Sequence, residues 1–258
     1  MAAYLEYGLE GRTAIITGAG TGIGAGTAVE LAKAGAKVAL FGRRLDKLEE
    51  VREQCLAYTK DVLCLSTDVA DRAQVNENVG KVVKAYDKID ILVNNAGIET
   101  WLKPGETYFD DYFEYLSDDD YLSFFRTHAL GHYLMNLACI PSMKEHHYGR
   151  IVNNASITGI SGSFSTPAYC GSKAAAICQT KSFAHKYTRS GIYTNCIAEG
   201  MVETPLKKNA TPEEYAAASE RSPFGHVAQP VDIARVILFL AQENLYMSGQ
   251  CIIVGVVV

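Results

Sequence analysis

The segment "TGAGTGIG", Thr17 to Gly24, constrains the fold of this chain more than any other stretch. It follows a β-branched apolar run, "TAIIT", and leads into the helix-forming "AVELAKAGA". Strand, glycine turn and helix in that order make the first unit of a dinucleotide-binding fold. Gly18 permits the tight turn out of the strand. Gly22 lets the backbone approach a pyrophosphate with no side chain in the way, and Gly24 lets the helix lie close to the sheet. The helix start then offers N–H groups and a positive dipole end to phosphate. Thr21 and Ile23, between those glycines, are assigned to the same cofactor-binding loop.

The rest of the chain repeats the alternation. "KVALF", "VLCLS", "IDILVNN", "RIVNNAS", "IYTNCIA" and "QCIIV" are short apolar runs, with helical patterns between them. Such alternation predicts an α/β fold: a Rossmann-type, doubly wound parallel sheet of about seven strands with helices on both faces. Apolar runs without strict alternation suit strands buried on both sides. No Pro/Ser-rich linker or repeat interrupts the pattern, so residues 1–258 read as a single dinucleotide-binding domain. The 258 residues, 48% of them hydrophobic, are enough for a substantial core.

Net charge is −5, which gives no basic face for a nucleic-acid partner. The N-terminal "MAAYLEYGLEGR" carries Glu6 and Glu10 and resembles neither a signal peptide nor a membrane anchor. Seven cysteines with no CxxC pair point to reduced thiols and a cytoplasmic location. No metal site is expected; His146 and His147 are adjacent and would diverge by about 100° on a helix.

One segment departs from the rhythm. From Glu99 to Asp120 there are eight acids and one lysine, a net −7, interleaved with aromatics as far as Phe125. This acidic and aromatic insert, near 99–125, suits a solvated helix face with its rings turned inward. It equally suits a wall of a substrate pocket beyond the fourth strand, where ligands bind in open α/β sheets. Tyr108, Phe109, Tyr112, Phe113 and Tyr115 would then meet a large apolar ring system.

The end of the second strand selects the cofactor. An acid there would hold the adenosine ribose hydroxyls. The chain instead has Arg43 and Arg44, which favour a 2′-phosphate and so NADP(H) over NAD(H).

Ser156, Tyr169 and Lys173 lie close together in the sequence. Reducing a ketone with hydride leaves an alkoxide that needs a proton. Tyrosine titrates near pH 10, too high for easy use as a base, and a nearby ammonium lowers that value. Tyr169 and Lys173 are four apart, ahead of the helix-favouring "AAAI", so they share a helical face. Ser156 follows the apolar "RIVNNA" and projects at that strand's C-terminal end, where its hydroxyl can hold a substrate oxygen.

The chain resembles the short-chain dehydrogenase/reductase superfamily over nearly its whole length. The resemblance rests on "TGAGTGIG", "STDVAD", "NNAG", "NNASITG" and "YCGSK", in the family's order and spacing. It implies that Asp68, with Val69, holds the adenine, and that Asn95, Ala96 and Gly97 line the cofactor. It also implies that Tyr169 and Lys173 touch the cofactor, with Glu199, Gly200, Val202 and Thr204 around the nicotinamide. Many members carry asparagine in an "N-x-x-G" element where it holds a relay water. Here the element is "HALG", which makes His128 a catalytic candidate. The usual "PG" after the sixth strand is Glu199-Gly200, and the tail ends in "VGVVV". A narrower resemblance is to bacterial hydroxysteroid and bile-acid dehydrogenases.

Together these features lead us to expect an NADP(H)-dependent alcohol dehydrogenase or carbonyl reductase. Its substrate would be bulky and apolar, with hydroxysteroids and bile acids first. A smaller ketone, a sugar-derived alcohol, and a non-catalytic nucleotide sensor on the same fold are the alternatives. The partner would be a small molecule, with no nucleic acid and no membrane. The resemblance implies a homotetramer or homodimer.

Overall fold

The computed structural model describes residues 7–99, 116–162, 165–206, 212–243 and 245–255. Among the described residues there are seven strands: β1 (Thr13–Thr17), β2 (Lys37–Gly42), β3 (Val62–Ser66), β4 (Ile91–Asn94), β5 (Gly149–Asn154), β6 (Ile192–Glu199) and β7 (Cys251–Val254). They form one parallel sheet in the order β3-β2-β1-β4-β5-β6-β7. The order reverses between β1 and β4. At that point adjacent loops diverge and leave a crevice at the strands' C-terminal ends.

The described helices are α1 (Gly22–Lys33), α2 (Leu45–Cys55), α3 (Arg72–Tyr86), α4 (Asp118–Phe124), α5 (Gly131–Glu145), α6 (Thr158–Ser161), α7 (Pro167–Tyr187), α8 (Pro212–Arg221) and α9 (Pro230–Ala241). A π-helical turn, Phe125–Leu130, joins α4 to α5. Asp71 caps α3 by accepting from the N–H groups of Ala73 and Gln74. Thr166 caps α7 in the same way and Pro167 takes its first position, so Tyr169 lies in the first turn.

Two cores flank the sheet, and the pleat assigns side chains to them alternately. Ala14 and Ile16 of β1, with Ile91 and Val93 of β4, face α1, α2 and α9. Ile15 and Leu92 face the other way, toward α3, α5 and Phe183 of α7. This double burial is why the strands read as continuous apolar runs. The helices expected from the sequence cover both faces as required. Most of the acidic and aromatic insert, including Tyr108, Phe109, Tyr112, Phe113 and Tyr115, lies outside the described residues.

Candidate active site

The glycine loop closes one side of the crevice. Gly18 has φ +64° and Gly22 φ +56°, in the left-handed region that favours glycine. A Cβ on Gly24 would collide with the Gly18 carbonyl oxygen. A Cβ on Gly22 would come within 3.1 Å of the Thr204 methyl. Thr204 therefore faces Gly22 across the crevice, although 182 positions separate them in the chain. Thr21, the N-cap of α1, gives the helix no side-chain cap. The bare backbone and uncapped helix start fit a pyrophosphate, and the site matches the dinucleotide expected from the sequence.

The "NNAG" turn is a brace. Thr17 Oγ1 accepts from the N–H groups of Asn95 and Ala96, both at 2.9 Å. Asn95 Nδ2 donates to the Thr17 carbonyl at 3.1 Å, and Asn95 Oδ1 accepts from Asn154 Nδ2 at 2.9 Å. One side chain thus ties β1, β4 and β5 together at the crevice floor. Ala96 packs so close to Gly18 that a Cβ there would meet its Cα at 2.9 Å. Gly97 leaves room for the His128 ring, 3.2 Å from where its Cβ would stand.

Arg43 and Arg44 are exposed at the end of β2. Among the described residues neither guanidinium has an acidic partner. Asp68 Oδ1 accepts from the Ala70 N–H at 2.9 Å, and Val69 is buried against Gly131. Across the crevice, Glu199 is buried at the end of β6, and its carbonyl accepts from the Ile157 N–H. Gly200 N–H donates to the Val254 carbonyl, and Val202 bridges to Ala228.

Ser156, Tyr169, Lys173 and His128 come together beside this crevice. Ser156 is buried just past β5, and its Oγ accepts from the Thr158 hydroxyl at 3.1 Å. Lys173 is buried and donates from Nζ to the carbonyl of Asn154, the last residue of β5, at 3.0 Å. That bond holds Lys173 at the strand end that also carries Ser156. Nζ lies 5.6 Å from the centroid of the Tyr169 ring. Burial pushes the Lys173 pKa down, while the carboxylates of Glu199 and Glu99 push it up; the net shift is downward.

His128 sits on the π-helical turn, a distortion often found at functional sites. Its Nε2 accepts from the Ile98 N–H at 3.0 Å. Its Nδ1 lies 2.8 Å from Ser172 Oγ, whose own proton goes to the Tyr169 carbonyl at 2.8 Å. Ser172 must therefore accept, so the network assigns the proton to His128 Nδ1. Both ring nitrogens are used by protein partners. Burial, and next the charge of Lys173, hold the imidazole pKa well below its ordinary value. The ring packs edge-on to Tyr169 at 5.5 Å between centroids, and Phe124 does so at 6.1 Å.

Several members of this cluster are not visible in the sequence. Ser172, Thr158 and Asn154 contact the expected residues from within "YCGSK" and "NNASITG" but are not singled out there, and Phe124 lies in no motif. Ser172 adjoins Lys173 in "YCGSK", and that place, with the helical spacing from Tyr169, is its signal in the sequence.

A dinucleotide crevice with serine, tyrosine and lysine beside it defines an oxidoreductase of the doubly wound class. Residues 12–215 match the short chain dehydrogenase family, and the chain belongs to it. It is thereby an NAD(P)-dependent enzyme acting on CH–OH and ketone groups. Among its relatives is the 3-oxoacyl-[acyl-carrier-protein] reductase of Thermotoga maritima, 33% identical over 245 residues, covering 95% of this chain and 96% of that one. Another is the (2S)-[(R)-hydroxy(phenyl)methyl]succinyl-CoA dehydrogenase subunit of Thauera aromatica, 32% identical over 248 residues, covering 96% of each. In structure the chain is similar to levodione reductase, with TM-score 0.86, 28% identity and coverage of 95% and 96%. It is equally similar to the 3-ketoacyl-(acyl-carrier-protein) reductase of Brucella melitensis complexed with NADH, with TM-score 0.86, 27% identity and coverage of 96% and 98%. Among the described residues no helix is long and apolar enough to cross a membrane, and no cluster of acids, histidines and cysteines fits a metal.

Proposed function

We propose that this chain, as a single domain, is an NADP(H)-dependent ketone reductase working reversibly on a secondary alcohol. Tyr169 is its acid–base group. The observation that carries this reading is the placement of Lys173: its ammonium is fixed to the end of β5, beside the Tyr169 ring and next to Ser156. The nicotinamide, when bound, supplies or receives hydride. Tyr169 gives its phenolic proton to the developing alkoxide in reduction, and takes it back in oxidation. Lys173 stabilises the phenolate left behind. The Ser156 hydroxyl orients the carbonyl oxygen toward Tyr169.

His128 serves in this reading as a positioning residue. Through Ser172 it holds the backbone of Tyr169, and through Ile98 it holds the loop after β4. The chain Ile98 N–H to His128 to Ser172 to the Tyr169 carbonyl runs in one direction and leaves no ring nitrogen for a relay water.

Arg43 and Arg44 support the NADP(H) preference, since two exposed guanidiniums with no acidic partner among the described residues suit a 2′-phosphate. Gly18, Thr21, Gly22, Ile23 and Gly24 would hold the pyrophosphate, with Asp68 and Val69 toward the adenine. Glu199, Gly200, Val202 and Thr204 would border the nicotinamide. Assembly as a homodimer or homotetramer through the outer face of α7 belongs to the same reading.

For the substrate, the two curated relatives are named for acyl groups carried on a thioester. That supports a 3-oxoacyl thioester ahead of the steroid or bile-acid ring system expected from the sequence. NADPH consumption should be followed with acetoacetyl-CoA, a 3-ketosteroid and a simple cyclic ketone. Fastest turnover of the thioester is the expected result. Preference for the steroid would restore the bulky-ring reading. Cofactor binding with no turnover on any of them would favour a nucleotide sensor.

A further inference from the structure

Ser156 and Thr158 are both buried, on the turn that joins β5 to the short helix α6. The turn is held on several sides. Ile157 N–H donates to the Glu199 carbonyl at the end of β6, at 3.0 Å. Gly159 N–H donates to the Ser156 carbonyl at 3.0 Å. A Cβ on Gly159 would stand 2.8 Å from the Lys173 carbonyl carbon and from the Ala174 nitrogen. The turn therefore lies directly against α7 at the lysine. Within it, Thr158 aims two donors at one atom. Its hydroxyl reaches Ser156 Oγ at 3.1 Å, and its N–H reaches the same oxygen at 3.3 Å.

A serine hydroxyl has one proton to give and two lone pairs to accept with. Thr158 takes up both lone pairs, so Ser156 is left only to donate. No group among the described residues accepts its proton. Cys170 also lies within hydrogen-bond reach of Thr158. A thiol sulfur is a weak acceptor beside a hydroxyl oxygen, so the Thr158 proton goes to Ser156. We propose that Thr158 is a positioning residue, which fixes Ser156 as a one-way donor to the substrate oxygen.

An undirected serine can accept as readily as it donates. It could then draw the phenolic proton of Tyr169 away from the substrate. With its lone pairs filled it cannot, and Ser156 and Tyr169 both offer protons to one oxygen. A carbonyl oxygen gains negative charge as hydride arrives. Two directed donors are therefore worth more in the transition state than in the ground state. The contribution of Thr158 belongs in kcat rather than in KM. A packing role would follow the methyl group of Thr158, and the role proposed follows its hydroxyl. The inference rests on reading Ser156 as the group that holds the carbonyl oxygen.

The test is steady-state kinetics of the full chain at saturating NADPH, on whichever of the three ketones above the wild type reduces. Thr158→Val, close to isosteric, should lower kcat roughly 5- to 10-fold and leave KM within about two-fold of wild type. Thr158→Ser, which keeps the hydroxyl, should hold kcat within about two-fold of wild type. In a Ser156→Ala background, Thr158→Val should cost less than about two-fold more, since it acts through a hydroxyl already gone. Wild-type kcat in Thr158→Val would overturn the proposal, as would equal losses in Thr158→Val and Thr158→Ser. A crystal structure of the wild type should keep Thr158 Oγ1 and Ser156 Oγ within hydrogen-bond distance. Their separation would overturn the proposal even where Thr158→Val fails to fold or no ketone is reduced. Near wild-type turnover in Ser156→Ala would sink the reading of Ser156 itself, and the proposal with it.

Discussion

The proton on His128 resides on Nδ1 because Ser172 has already spent its own on the Tyr169 carbonyl. A neutral buried imidazole of this kind has a cost at low pH. An unfolded histidine binds a proton near 6.5, whereas folded His132 resists until about 3 and folded His128 is also shifted well down. Below pH 6.5 the unfolded chain therefore binds more protons, and stability falls as pH falls. For His132 that loss builds up between pH 6.5 and about 3 and is on the order of 5 kcal/mol at most. Thermal melts across this range should show a steep acid slope, and His132→Val should flatten it. A second residue-scale prediction concerns Arg43. Losing one charge-assisted phosphate contact costs about 1.5–3 kcal/mol. Arg43→Asp should thus raise the Michaelis constant for NADP roughly 10- to 100-fold more than that for NAD. An unchanged ratio in steady-state kinetics would remove Arg43 from the cofactor site.

At the scale of elements, the strands were legible in the sequence and the π-helical turn was not. "TAIIT" and "VLCLS" are β1 and β3 residue for residue. Buried parallel strands have little choice but continuous apolar runs. "FRTHAL" has no comparable signature, since one extra residue in a hydrogen-bond ladder leaves no trace in composition. The same limit hid the site's supporting groups. Tyr169 and Lys173 could be paired from helical spacing alone. The bond from Asn94 to Asn136 depends on how α5 docks on β4, which no local pattern encodes. The contact between α1 and the glycine turn was legible, and it sets a prediction. Gly24→Ala would place a methyl against the Gly18 carbonyl oxygen, with backbone on both sides of the clash. A cost of about 3 kcal/mol follows, or roughly 6–12 °C in Tm for a chain of this size, with weaker nucleotide binding. Calorimetry with and without NADPH checks both effects.

Across the whole molecule, the sheet's reversal between β1 and β4 gathers residues that the chain keeps far apart. Gly22 meets Thr204, Asn95 joins three strands, and Lys173 reaches back to the end of β5. The account depends on that convergence making Tyr169 the group that moves the proton. The most direct test is turnover of NADPH with acetoacetyl-CoA by wild type and Tyr169→Phe, with folding of both checked by circular dichroism. Phenylalanine keeps the ring packing against His128 and Phe124 and removes only the hydroxyl. The account predicts a fall in kcat of at least about 100-fold with NADPH still bound. Near wild-type turnover in Tyr169→Phe would contradict it.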